Sequence, residues 1–529
     1  MPCKVKIAAS PLRPRAKPSS SKPQRSTTAR PESEPSSARL SSKPHRSTTA
    51  SAAFAGDAMP TAGALLLVAL AGGAAGLAGP AGPRRPLLGA DVREFAADEA
   101  SWDARVAALA ALPAGFSCAT AALEFVPRET PGGAAAAMNL GVIALDAPTD
   151  AVAGVLTRNR LCGAPVSLAR RLLATSAPRL QAIVVNNKVS NVRPGPGLGE
   201  PCAEAVAGAV ATALGLEGTV ASASTGVIGW ALPVPEMVAA APALALARGD
   251  AAAVARAMMT TDRYAKAARA DLPGGGSVVG VVKGAGMIEP NLGTMLCFVL
   301  TDARVAGGRG AMQAALERAA ADSLGSVGVD GDESTSDMVL VASSEAGPPC
   351  DDATFEAALG DVLGQLAHHV VRNGEGTNHV LRVTVRGDAT VEAARALGRG
   401  VVNGPLLKCA VAGDDPNVGR VVAKVGQLLG ARGDAALLDE GSPCRVALGG
   451  ETIFERGQFA LDAAKEGRLA AHMRAARLGA DDPDAPRCPP HGRCVEIDVD
   501  LGGDAAVVAV VLGSDLTHEY VTENADYRS

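Results

Sequence analysis

KGAGMIEPNLGTMLCFVLTDA, residues 283–303, is a glycine-rich loop that runs through Pro290 into Gly293-Thr294 and then directly into an apolar run. A hydroxyl at such a loop-to-strand junction is held rigidly yet stays reachable. Glycine ahead of the threonine widens the backbone conformations open to the junction, as attack on the preceding carbonyl would require. A threonine hydroxyl alone is a weak nucleophile. Scission of the Gly293–Thr294 bond, however, frees an α-amine of pKa about 7.7–8.0, which can act as its general base. Composition by itself reads a threonine at the start of a strand as structural, so the case for chemistry rests on the surrounding sequence.

On either side of this stretch, from Phe95 onward, short apolar runs alternate with Ala- and Leu-rich stretches of helical period. The runs at 141–147, 182–187, 277–282, 295–303, 337–343 and 379–387 read as strands. Residues 200–216, 311–325, 354–371 and 390–402 read as helices. Strands often come in pairs before a helix, which favours an α+β fold of sheet layers over a strictly alternating parallel sheet. A chain of 529 residues accommodates one enlarged unit or two lobes. Only 2% of residues are aromatic, so the core must be built from Ala, Val and Leu.

Several function classes lose support at this stage. GxGxxG after a first strand, GxxxxGK[ST] and GxSxG are all missing. The first sixty residues hold eleven Lys and Arg against three Asp and Glu, so they carry +8 of a net −5 and leave −13 on the rest. An acidic body without a basic stripe does not suit nucleic acid or an anionic membrane. Ten cysteines lie at no regular spacing, and Cys488 and Cys494 around His491 lack a second pair. The reading is therefore no metal, reduced thiols and a small-molecule enzyme.

Residues 1–95 read as a targeting or disordered segment. They begin with a Pro-, Ser- and Arg-rich stretch in which SSKPQRSTTA (20–29) is nearly repeated as SSKPHRSTTA (41–50). Such a stretch buries too little apolar surface to offset its ordering entropy. Its composition suits an organelle transit peptide, and equally a disordered tail or an over-extended reading frame. ALLLVAL (64–70) followed by AGGAAGLAGPAG is too short and glycine-rich for a comfortable membrane span. With a start at Met59 it reads as a signal peptide with an Arg-containing stretch behind it, a two-part address of the plastid kind. The expected address is an organelle, plastid ahead of mitochondrion, with the enzyme in the matrix or stroma and no stable membrane insertion.

KGAGMIEPNLGTML resembles the cleavage-site motif of the ornithine acetyltransferase family of cyclic arginine biosynthesis. Six further motifs follow the family in chain order: STGVIGWALP (224–233), MTTD (259–262), VDGDESTSDMVL (329–340), RNGEG (372–376), GPLLKCAVAGDDPNVGR (404–420) and DLTHEYVTENADYRS (515–529). Together they span the chain from about Cys118 to Ser529. The resemblance implies a layered αββα sandwich related to N-terminal-nucleophile enzymes, self-cleaved into an alpha chain of residues 96–293 and a beta chain of residues 294–529. It makes Thr294 the nucleophile, and Thr225 with Gly226 the oxyanion hole. Thr260 or Thr261, Lys283, Glu375, Asn524 and Ser529 become the groups that hold the substrate.

The implied reaction is ping-pong transfer of acetyl from N-acetylornithine to glutamate without a cofactor, with acetyl-CoA open as a second donor. The implied assembly is two alpha and two beta chains. An amidase or aminopeptidase that hydrolyses the acyl-enzyme, and an uncleaved binding homologue, are the alternatives. The chain departs from the family pattern in four places. It has NNKVSN (186–191) for NSGNAN, Val418 for the tryptophan of WGR, TNH (377–379) for the ATK of GATK, and Gly293 for alanine.

Overall fold

Most strand candidates in this sequence are apolar at successive positions rather than at alternate ones, the pattern of strands covered on both faces. In the computed structural model, which describes residues 86–289, 295–479 and 485–525, every residue of Leu180–Asn186, Ser277–Lys283, Leu296–Thr301 and Met338–Ser343 is buried. They belong to two sheets packed face to face. The first sheet runs, edge to edge, Phe116–Phe125, Ala136–Thr149, Leu180–Asn186 and Thr219–Ser224. The second runs Val152–Leu156, Met338–Ser343, Leu296–Thr301, Ser277–Lys283 and Lys266–Asp271.

Between the sheets, Phe116, Ile143 and Ile183 of the first meet Val281, Phe298 and Leu340 of the second in one core. The outer face of the first sheet sets Val142 and Val184 against Val210 of the helix Glu200–Leu214. The outer face of the second sets Val278, Val299 and Val341 against Phe355, Leu359 and Val370 of the helix Asp352–Arg372. Helix, sheet, sheet, helix is the layering the sequence led us to expect, within an α+β fold. A seven-stranded sheet that includes Val380–Arg386, Val495–Asp500 and Val508–Ser514 forms a further core with the helices Val391–Val402 and Val418–Arg432.

Strand register does the positioning for the site. Lys283 pairs with Leu296 antiparallel, and Met338 pairs with Leu296 in parallel, so Lys283, Met295 and Asp337 come to one end of the second sheet.

One boundary needs correction. The expected start of the fold at about Phe95 is too late, because Leu87–Gly89 already forms a helical turn with Leu88 fully buried. Arg93 N–H donates to Gln365 Oε1 at 3.0 Å, and Gln365 Nε2 donates back to the Asp91 carbonyl at 3.2 Å. A turn of three residues is too short for periodicity to reveal it. Among the described residues no helix is long and apolar enough to cross a membrane; residues 1–85 lie outside them.

Candidate active site

The helix Asp352–Arg372 ends at RNGEG, and its cap residue Asn373 turns back toward MTTD: Asn373 Oδ1 accepts from the backbone N–H groups of Arg263 and Tyr264 at 2.9 and 3.2 Å. Two motifs more than a hundred residues apart are thereby locked together. The next links fix Glu375. Its backbone N–H donates to the Ala285 carbonyl at 3.0 Å, while its carboxylate accepts from Thr261 Oγ1 at 2.6 Å and from Asn524 Nδ2 at 2.8 Å. Gly286 is obligatory for this approach, since a Cβ there would lie 2.2 Å from Glu375 Oε2.

Thr225, Gly226, Thr260, Thr261, Lys283, Glu375 and Asn524 all line one cavity of about 380 Å³. Thr225 Oγ1 is buried and has no hydrogen-bond partner among the described residues. Leaving a buried hydroxyl unsatisfied typically costs about 1–3 kcal/mol, so a donor kept in that state beside a cavity suits an oxyanion. Gly226 has φ +127°, and a Cβ on it would fall 2.1 Å from the Lys188 carbonyl carbon. Only glycine fits that turn.

Lys283 closes its strand with its side chain buried, and burial pulls its ammonium below the usual lysine range while the charges of Asp262, Glu375 and Asp337 oppose that. A desolvated point charge of this kind suits a carboxylate. Gly293 and Thr294 lie outside the described residues, as does Ser529. The described chain resumes at Met295, whose N–H donates to Asp337 Oδ1 at 3.1 Å and whose carbonyl accepts from Met338 N–H at 2.9 Å.

Four site residues escaped the sequence reading. Asp262 is fully buried against Lys266 at 2.5 Å and also accepts from the N–H groups of Thr260 and Gly284 at 3.1 and 2.8 Å. Burial pushes its carboxyl up, but the Lys266 and Lys283 charges outweigh that and hold it at about 2. Asp330 accepts from the N–H groups of Met287 and Ile288 at 2.6 and 2.9 Å, fixing the loop ahead of the junction. Asp337 is the third, and burial holds its carboxyl well above the usual range. Tyr520 is the fourth, and its phenol is raised by burial and by the Asp330 and Glu375 carboxylates. The only available signal was that each of them sits inside a quoted motif.

Two buried cations or imidazoles brace the walls from behind. Lys408 Nζ donates to the Val329 and Ser514 carbonyls at 2.7 and 2.6 Å, and burial lowers its pKa to about 8. His379, one of the departures from the family pattern, sits between Asp515 at 2.9 Å and Asp414 at 3.1 Å.

Comparison with known proteins identifies the company this chain keeps. The ArgJ family model matches residues 131–529. The arginine biosynthesis bifunctional protein ArgJ of Bifidobacterium longum is 36% identical over 397 residues, covering 74% of this chain and 94% of that protein. The glutamate N-acetyltransferase of Methanosarcina mazei is 36% identical over 402 residues, with 74% and 94% covered. Among solved structures, the ArgJ protein of Bacillus halodurans matches at 26% identity and a TM-score of 0.35, covering 43% of this chain and 97% of that one.

Proposed function

The chain belongs to the ArgJ family, and on that premise we propose that it is a self-cleaving acetyltransferase that carries acetyl from N-acetylornithine to glutamate. In the first step the Thr294 hydroxyl attacks the Gly293 carbonyl, the Gly293–Thr294 C–N bond breaks to give an ester and a free amine, and water then hydrolyses the ester to release the Gly293 carboxylate and the Thr294 hydroxyl. This leaves Thr294 with a free α-amine. That amine takes the hydroxyl proton as Thr294 attacks the acetyl carbonyl of N-acetylornithine. Thr225 Oγ1 and the Gly226 N–H stabilise the oxyanion, a contribution of about 2.7–4 kcal/mol where a single donor of this kind has been removed. The C–N bond breaks, ornithine departs with the returned proton, and the amine of glutamate attacks the threonine ester to regenerate the enzyme. Neither half-reaction calls for a cofactor.

A single observation carries the reading. The Thr225 hydroxyl, unpartnered among the described residues, the buried Lys283 and the Thr261–Glu375–Asn524 cluster share one cavity, at the end of the sheet where Lys283 pairs with Leu296. Lys283 suits the α-carboxylate of an amino acid, and Glu375 suits its amine.

Incubation with N-acetylornithine and glutamate should yield N-acetylglutamate, and glutamate should accelerate deacylation strongly. Acetate as the main product would instead assign an amidase. Glu375→Gln and deletion of Ser529 should each lower transfer about ten- to a hundredfold, the usual effect of losing an anchoring hydrogen bond in a buried site. Self-cleavage should persist in both, because it needs Thr294 and the oxyanion donors but no amino-acid anchor. A simple activated acetyl ester should still acylate both variants at close to the wild-type rate.

We further propose that the basic N-terminal segment directs the enzyme to an organelle, plastid before mitochondrion, and that acetyl-CoA serves as a second acetyl donor. Fused to a fluorescent reporter, residues 1–85 should give a plastid pattern; a diffuse cytosolic signal would remove the targeting reading.

A further inference from the structure

The cavity described above opens beside a second one of about 360 Å³, which shares Val227, Thr260 and Thr261 with it and extends to Asn187, Lys188, Met259 and Glu523. Charge distinguishes the two. Lys283 is the one cation among the residues lining the first, against Asp330, Asp332 and Glu375. The acceptor in the reading given above, on which this inference rests, carries two carboxylates. A single ammonium fixes one of them, and the acidic wall repels the other.

We propose that the second cavity is the subsite for the acceptor's side-chain carboxylate and that Lys188 is the cation that binds it. The acceptor would lie across the Thr260–Thr261 loop, its α-carboxylate toward Lys283 and its side-chain carboxylate toward Lys188. The acidic wall is left for the cationic end of the donor.

Lys188 is built into a rigid loop beside the oxyanion turn. Its carbonyl accepts from Val227 N–H at 2.9 Å, and its backbone packs against Gly226. On one side of it, Asn187 accepts from Asn139 N–H at 2.8 Å and donates to the Met259 carbonyl at 2.9 Å; on the other, Ser190 Oγ donates to the Val227 carbonyl at 2.8 Å. The backbone at Lys188 is left-handed, with φ +70°, a conformation that favours glycine and is uncommon for a lysine. Retaining a lysine there has a local conformational cost, which a function for its ammonium would offset. Among the described residues no hydrogen bond or ion pair holds that ammonium. Glu523 lines the same cavity, where burial and the neighbouring Glu375 carboxylate push its carboxyl above the ordinary range.

Two variants test this without confusing charge with folding. Lys188→Gly relieves the left-handed backbone, and Lys188→Met keeps the length of the side chain. Both should raise KM for glutamate about tenfold or more, as expected for a lost charge-assisted contact, and raise KM for N-acetylornithine by a smaller factor. Both should also collapse the preference for glutamate over its neutral isostere glutamine. An unchanged preference, or equal weakening of glutamate and glutamine, would overturn the subsite. If the wild-type protein forms no N-acetylglutamate at all, the transfer reading fails and takes the subsite with it; wild-type transfer with indifferent variants overturns the subsite alone.

Discussion

A Thr294→Ala chain is expected to remain a single uncleaved polypeptide and to transfer no acetyl group, whereas the wild type separates on a denaturing gel into residues ending at Gly293 and residues beginning at Thr294. Both losses follow from one atom. In the proposed mechanism the hydroxyl oxygen makes the bond that breaks the chain, and afterwards the bond that carries the acetyl group. Deleting a catalytic nucleophile typically lowers kcat by on the order of 10⁶-fold, so residual activity should fall below detection. Thr294→Ser keeps the oxygen and should still cleave and turn over. The native protein should keep its two pieces together, because Ser277–Lys283 and Val152–Leu156, ahead of the cut, pair with Leu296–Thr301 and Met338–Ser343, behind it, in the second sheet, and separation would expose sheet edges and core strands. Cleavage of Thr294→Ala at the same bond, read by intact mass, would remove Thr294 from the mechanism.

Much of this site was legible because its chemistry is carried by local motifs. Lys283 and Glu375 stand in glycine-rich stretches, and the structure explains both settings: Gly286 admits the Glu375 carboxylate, and RNGEG caps a buried helix through Asn373. The strands around them were legible from their continuous apolar runs. Asp262 and Asp337 were harder to read, since an aspartate looks the same in sequence whether it is solvated or fully buried. What distinguishes them is tertiary: Gly284 reaches Asp262 from the end of the neighbouring strand, and Met295 reaches Asp337 from just ahead of the next strand of the sheet. Lys188 was visible as a departure from the family pattern. Its place beside a second cavity depends on Gly226, a residue 38 positions away whose missing Cβ lets the two loops touch.

Asp262→Asn should lower the unfolding free energy by about 3–5 kcal/mol, the usual cost of stranding one member of a buried ion pair. Lys266 and Asp262 side chains are both fully shielded from solvent, and their contact is 2.5 Å. Asparagine keeps a single acceptor oxygen, whereas the N–H groups of Thr260 and Gly284 donate to different oxygens of Asp262, so the loss would combine the uncompensated ammonium with one missing loop contact. The pH dependence has a definite sign. The Asp262 carboxyl is depressed to about 2 in the folded protein, below the value of about 3.9 in an unfolded chain. Its contribution is therefore complete above pH 4 and is lost as pH falls toward 2. In that window the wild type should lose stability faster than the variant, and their denaturant midpoints should converge. Adding Lys266→Met to Asp262→Asn removes the stranded charge and should recover much of the loss at neutral pH. Activity should not recover with it, because the Asp262 charge also faces Lys283, the cation proposed to hold the substrate's carboxylate. A double variant restored in both stability and KM would show that Asp262 serves only the fold.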